Sequence, residues 1–323
     1  MYSIIIPIYN EEQTLRVLHD RLVEALRPLG EDYEVILVDD GSKDGSYELM
    51  KLIHAHDARF KGLRLSRNFG HQIAISAGLD FARGDAVILM DGDLQDPPEL
   101  LPQMIAKWKE GYQVVYTVKT SRKESRLKRF AFKMFYRILH ALSSVQIPMD
   151  AGNFSLMDRR VVEILRRIPE RHRYISGLRA WIGFRQIGIE YDRGLRYAGK
   201  PQMSIGKLVQ LALDGIFSFS HAPLRVASYV GFLSALVAFA GGLYVIYEKL
   251  FTDKAILGWA STISTIAFLG GLILMTLGII GEYIGRIYDE VKQRPLYIVS
   301  EGIGFEQEPS RSLARSQESL TSN

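Results

Sequence analysis

Two stretches of this chain contain no charged residue at all, Val226–Tyr247 and Ala255–Gly281. Each exceeds the roughly 20 residues that a helix needs to cross a bilayer core. In lipid no water satisfies the backbone, so segments of this kind are confined to helices. They are expected to form two transmembrane helices joined by a short loop carrying Glu248, Lys249, Asp253 and Lys254. Arg225 precedes the first span, and Arg286, Lys292 and Arg294 follow the second. Four basic residues on the flanks against two in the loop put both flanks on the cytoplasmic side. Tyr229, Tyr244, Tyr247, Trp259 and Tyr283 lie near the span ends, as interfacial aromatics do.

The remainder has a different pattern, which a mean hydropathy of +0.02 averages away. Short apolar strands are expected at Ser3–Ile8, Tyr33–Val38, Leu63–Leu65 and Ala86–Met90. Between them, Glu11–Leu29, Ser46–His56 and Gln72–Ala82 carry helical spacing. Such alternation predicts the α/β class, with a mostly parallel sheet covered on both faces. The opening run MYSIIIPIYNEE has no basic lead and no cleavage site, and is expected to be a strand rather than a signal peptide. The absence of cysteine among 323 residues excludes a disulfide framework and thiolate chemistry. A net charge of +4 suits nucleic acid, an anionic membrane surface or phosphate-bearing substrates.

Polar clusters fall at the strand ends: Tyr9-Asn10-Glu11, Asp39-Asp40-Gly41-Ser42 and Asp91-Gly92-Asp93. Residues of these types also make ordinary turns. Three such loops after parallel strands, however, converge where ligands bind in sheets of this kind. Asp91 and Asp93, one residue apart after a buried strand, can together hold Mg²⁺ or Mn²⁺, whose shell diphosphate oxygens and water would complete. Lys119–Arg137 is densely basic with interleaved Phe130, Phe132, Phe135 and Tyr136. It is expected either as an amphipathic helix on anionic lipid or as a solvated charged face. Within it, Arg122 and Arg126 are the candidates for gathering a phosphate group. Asp150 is a candidate ligand contact, or a turn aspartate. Histidines 71, 140, 172 and 221 show no metal-ligand spacing and are assigned no catalytic role. Residues 308–323 are polar and aperiodic, a disordered tail in expectation.

Longer strings carry a resemblance. Ile6-Pro-Ile-Tyr-Asn-Glu11, Val38-Asp-Asp-Gly-Ser42, Arg67-Asn-Phe-Gly70 and Asp91-Gly-Asp-Leu-Gln-Asp-Pro-Pro98 resemble glycosyltransferase family 2. The likeness is closest to its polyprenyl-phosphate glycosyltransferases, the group with dolichol-phosphate mannose synthase and bactoprenol glucosyltransferases. It continues through Ile147–Phe154, Leu156–Arg159, Gly177–Phe184, Arg196-Tyr-Ala-Gly199, Ser218-Phe-Ser220, Pro223-Leu-Arg225 and the two spans. It implies a GT-A (Rossmann-like) catalytic domain, a divalent metal and an inverting reaction. It further implies that Pro7, Tyr9, Glu11 and Arg67 bind the nucleotide-sugar and that Asp40 bonds the base edge. Asp39 would support its loop. Asp91 would reach ribose or metal, Asp93 would be the principal metal ligand, and Gln95 would complete metal or sugar contacts. Arg196 and Lys200 would meet the diphosphate or the acceptor phosphate, Arg122 and Arg126 the acceptor phosphate, and Asp150 would orient sugar or acceptor. Lys207 joins them in an amphipathic stretch from Ser204 to His221. Asn153, Ser155, Lys119 and Ser176 depart from the pattern, which leaves the donor open.

The expected organisation is therefore a cytosolic catalytic domain over 1–203, a juxtamembrane helix over 204–222, a transmembrane hairpin over 223–285 and a cytosolic segment over 286–323. The expected reaction transfers glucose from UDP-glucose to polyprenyl phosphate. GDP-mannose, UDP-N-acetylhexosamine and UDP-aminoarabinose stand as alternative donors, and an inactive membrane scaffold as an alternative function. A processive synthase of the same superfamily would carry Gln-x-x-Arg-Trp and more spans, and Arg179-Ala-Trp181 is not that motif. No Gly-x-Gly-x-x-Gly follows the first strand, which disfavours a dehydrogenase. The expected partners are the donor, the lipid, the membrane, a second copy of the chain through small residues such as Gly270 and Gly278, and a separate lipid-sugar flippase. No nucleic acid is expected.

Overall fold

The structure, a computed structural model, describes residues 1–119, 151–171, 173–191, 222–251 and 258–305. Asp150, Arg122, Arg126, Arg196, Lys200 and Lys207 lie outside these residues. So do the run from 120 to 137, the stretch 204–221, and the tail.

The described residues fall into two units, one of them made by 1–119, 151–171, 173–191 and 293–305. Its elements are β1 (Tyr2–Ile8), α1 (Leu15–Leu26), β2 (Tyr33–Asp39), α2 (Ser46–His56), β3 (Phe60–Leu65), α3 (His71–Phe81), β4 (Ala86–Leu89) and α4 (Leu101–Lys109). These are followed by β5 (Val114–Lys119), β6 (Ala151–Asp158), α5 (Arg159–Arg167), α6 (Ile175–Ile182) and β7 (Gln186–Tyr191). Eight strands form one sheet in the order β7-β5-β6-β4-β1-β2-β3-β8, its last member being Val299–Ile303. Strands β4, β1, β2 and β3 run parallel, while β6 is antiparallel to both β4 and β5.

The central strands are built for burial on both faces. Ile4, Ile5, Ile6 and Ile8 of β1 are all fully buried, and so are Val35, Ile36 and Val38 of β2. Each such side chain contributes roughly 1.5–3 kcal/mol by leaving water. Helix α1 covers one face with Leu15, Leu18, Leu22 and Leu26, spaced three or four apart. Its periodicity predicts a helix as far as Leu29, but the α-helix stops at Leu26. Pro28 has no N–H to continue the ladder, so the chain tightens into a 3₁₀ turn and leaves through Gly30 at φ 61°.

The other unit contains α7 (Ala222–Phe251) and α8 (Trp259–Val291), which pack on one another. Each holds a segment long and apolar enough to cross a membrane, Pro223–Tyr244 and Ser264–Val291. Phe232, Leu236, Phe239, Leu274 and Leu277 stand exposed along them. Both helices outrun the uncharged stretches, because backbone bonding does not end where apolarity does. Glu248 and Lys249 thus extend α7 rather than sitting in a loop, and Glu282 pairs with Arg286 one turn on, at 2.9 Å.

Strand β8 was not anticipated. It pairs antiparallel with β3, the Ser66 N–H donates to the Ile298 carbonyl at 2.9 Å, and Tyr297 Oη donates to Asp80 at 2.8 Å. Glu301 accepts from Tyr47 Oη at 3.0 Å and lies 3.5 Å from Arg64. It covers a parallel edge that would otherwise expose a row of backbone groups. A chain ending at Lys292 is expected to melt several degrees lower in detergent and to aggregate. An unchanged melting temperature would mean that the strand adds nothing to the sheet.

Candidate active site

The C-terminal ends of β1, β2, β3 and β4 lie side by side, so the loops after them share one rim. Strand β6, antiparallel to β4, begins on the same rim and brings Gly152 and Asn153 to it.

The first two loops are stitched together. The Asn10 N–H donates to Ser42 Oγ at 3.0 Å, Lys43 N–H to Asn10 Oδ1 at 2.8 Å, and Glu11 N–H to Ser46 Oγ at 2.9 Å. Pro7, Tyr9 and Glu11 are half-buried beside this seam. Asp39 accepts from the Ser42 N–H at 2.9 Å, with Arg64 3.5 Å from its other oxygen. Asp40 reaches the third loop, where its two oxygens accept the N–H groups of Phe69 at 2.7 Å and Gly70 at 2.9 Å. Each oxygen keeps a second acceptor position, so a base-edge contact remains compatible. Burial pushes the Asp40 pKa up, a rise only partly offset by the two N–H donors. Gly41 is required directly after these acids. It sits at φ 72°, and a Cβ there would lie 2.7 Å from the Arg67 carbonyl carbon. Arg67 itself is exposed, with its guanidinium 4.3 Å from the Phe69 ring centroid.

The fourth loop carries Asp91, Gly92 and Asp93. Gly92 is buried against β1, where a Cβ would meet Ile8 Cδ1 at 2.9 Å, so both carboxylates flank a point of close backbone approach. Asp93 Oδ1 accepts the Gln95 N–H at 3.1 Å. Leu94 takes φ 58°, a conformation costing about 1–2 kcal/mol outside glycine, and its buried side chain anchors it there. Asp96 turns inward and accepts from Tyr191 Oη at the end of β7.

Sequence reasoning gave His71 no role, but its Nε2 lies 3.3 Å from Asp91 Oδ1 and 3.0 Å from Asn153 Nδ2. Burial acts to lower its pKa. The Asp91 carboxylate, with Asp40 and Asp93 behind it, outweighs that and holds it above the ordinary value, although 43% of the side chain is open to solvent. Its sequence signal was its place, directly after the Arg67-Asn-Phe-Gly70 string at the start of a helix. His140, His172 and His221 lie outside the described residues. Arg179 was also missed. It is fully buried, meets the Gly152 carbonyl at 3.4 Å and the Tyr116 ring at 5.5 Å, and pairs with no carboxylate among the described residues. Burial lowers its pKa to about 10.

Of the expected site residues, the structure thus brings Pro7, Tyr9, Glu11, Asp40, Arg67, Asp91, Asp93 and Gln95 to one rim. The donor set, two carboxylates on one tight turn, suits a hard cation whose shell ligand oxygens and water would complete.

Residues 3–165 match glycosyl transferase family 2, and residues 222–287 match the GtrB C-terminal hairpin. The chain is 48% identical over 306 residues to the uncharacterized glycosyltransferase YkcC of Bacillus subtilis (strain 168), covering 94% of this chain and 95% of that one. It is 40% identical over 300 residues to the SfII prophage-derived bactoprenol glucosyl transferase of Shigella flexneri, covering 92% and 96%. Among solved structures, glucosyl-3-phosphoglycerate synthase of Mycobacterium tuberculosis matches with a TM-score of 0.44 and 20% identity, over 68% of this chain and 79% of that one, too distant to add to the argument.

Replacing Asp40 by Asn sets an NH₂ group against one of two buried N–H donors. The variant is expected to lose about 1–3 kcal/mol of stability, read as a lower melting temperature in thermal unfolding.

Proposed function

The chain belongs to glycosyl transferase family 2, and on that premise we propose that it transfers glucose from UDP-glucose to polyprenyl phosphate, with inversion, at the cytoplasmic membrane face. That it is a glycosyltransferase with a GT-A sheet follows from the family. The lipid acceptor and the glucosyl donor are inferred from the likeness to a bactoprenol glucosyl transferase and to the GtrB hairpin. The observation that carries the reading is the single rim holding Asp40, Asp91 and Asp93 in a chain that also has two membrane-length helices.

Asp91 and Asp93 would hold Mg²⁺ or Mn²⁺, which supplies Lewis-acid stabilisation of the departing nucleoside diphosphate. The stitched loops around Pro7, Tyr9 and Glu11 would seat the nucleotide, with Asp40 on the base edge and Arg67 and Gln95 over the phosphates and sugar. Their hydrogen-bonded backbone keeps that seat from collapsing before the donor arrives. An acceptor phosphate with a second pKa near about 6 is already anionic at neutral pH, so it needs placing rather than deprotonating. Placement would fall to the basic residues Arg122, Arg126, Arg196, Lys200 and Lys207, with Asp150 orienting the sugar or the acceptor. The hairpin would span the membrane, and a homo-oligomer and a separate flippase for the lipid-sugar complete the proposal.

A donor panel tests it. Purified protein, polyprenyl phosphate and Mn²⁺ are expected to move label from UDP-glucose into the organic phase. The Asp93→Ala variant and EDTA should each abolish transfer, at least about 100-fold. Label from GDP-mannose or a UDP-N-acetylhexosamine instead would correct the donor. No transfer from any donor would sink the lipid-acceptor reading.

A further inference from the structure

Asp91 is not positioned by its own loop alone. His71 Nε2 stands 3.3 Å from Asp91 Oδ1, Asn153 Nδ2 stands 3.0 Å from that same nitrogen, and Ser176 Oγ donates to Asn153 Oδ1 at 3.0 Å. The row draws on the first residue of α3, the start of β6 and the second residue of α6. Both of its outer elements are pinned. Gly70, just before His71, donates to Asp40, and Gln72, just after it, accepts the Ile175 N–H at 3.0 Å. Ser155 Oγ in turn donates to the Asn153 carbonyl at 2.9 Å, and Ser176 is buried.

We propose that His71, aligned by Asn153 and Ser176, is a positioning residue that fixes the Asp91 carboxylate for the divalent cation. The inference rests on the metal-dependent reading of this site and names residues which that reading leaves without a task. Two carboxylates make a sparse donor set, so each must already face the ion. A carboxylate free to swivel spends binding energy on being ordered, and loss of an outer hydrogen-bond partner typically costs 10–100-fold in metal affinity. Imidazole suits the post, being short and planar, with two rotatable bonds to fix. The amide of Asn153 suits the place behind it, because an amide carries both donor and acceptor. The Nε2–H that faces Asp91 is shared with this amide once the group turns its oxygen toward it, leaving the NH₂ to donate to Ser176 Oγ. A carboxylate at 153 could only accept, and would add a negative charge beside Asp40, Asp91 and Asp93.

Mn²⁺ binding to the full-length protein in detergent, with UDP present and followed by electron paramagnetic resonance of the free ion, tests this without turnover. His71→Ala is expected to weaken Mn²⁺ 10–100-fold and to leave metal-free UDP binding unchanged. Asn153→Ala should weaken it less, and the double variant no more than His71→Ala alone, since the two act in series. His71→Gln, which returns a polar group near the Nε2 position, should recover part of the loss. Thermal melting confirms that each variant is folded, and if His71→Ala fails that check, His71→Gln and Asn153→Ala decide the matter. Equal affinity in wild type and variants, or strictly additive losses, would overturn the inference alone. A wild type that binds UDP but no Mn²⁺ would overturn it together with the metal reading.

Discussion

The rim of this enzyme depends on one buried carboxylate. Asp40, at the end of β2, accepts the two N–H groups that open the turn into α3, and so joins strand ends that the sheet alone would leave as independent loops. Everything near it follows from that clasp. It draws the Arg67 backbone so close to Gly41 that no other side chain fits between them. It also sets the first turn of α3, which aims His71 at Asp91. The arrangement concentrates acid, for Asp39, Asp40, Asp91 and Asp93 crowd one edge, met by Arg64 on one side and His71 on the other. An edge of this kind favours an arriving cation and disfavours a bare diphosphate, which orders metal and donor as co-ligands.

The parts legible in the sequence were those encoded locally. Four consecutive parallel strands follow from runs such as Ile4–Ile8 and Val35–Val38, and α2 begins and ends at Ser46 and His56 as its pattern indicates. Asp91 and Asp93 were legible because two acids in one turn are read without knowing what lies across from them. His71 was not, since its partner Asn153 lies 82 positions away and the histidines show no metal-ligand spacing of their own. Arg179 has the same difficulty: nothing in Leu178-Arg-Ala-Trp181 says that the guanidinium will be sealed in against Gly152. Strand β8 is the extreme case. Val-Ser-Glu-Gly-Ile has no apolar run, and its meaning comes from β3, more than two hundred residues earlier.

Departures from the family's usual residues are also clearer in three dimensions. Asn153 and Ser176, read separately as substitutions that leave the donor open, are hydrogen-bonded to each other at 3.0 Å. They form one neutral unit rather than two unrelated changes. A neutral pair beside an acid-rich edge leaves the local charge to be set by Asp40, Asp91 and Asp93.

Strands β7 and β8 are the two opposite edges of one sheet, yet the whole hairpin lies between them in the chain. During synthesis, seven strands emerge before α7 and α8, and the eighth only after them. The sheet therefore stays open at β3 while both membrane-length helices are made, and closes once Val299–Ile303 has left the ribosome. Completion of the sheet-bearing unit in this way waits on the synthesis of both helices. A chain arrested before its hairpin holds a sheet that lacks its last edge strand.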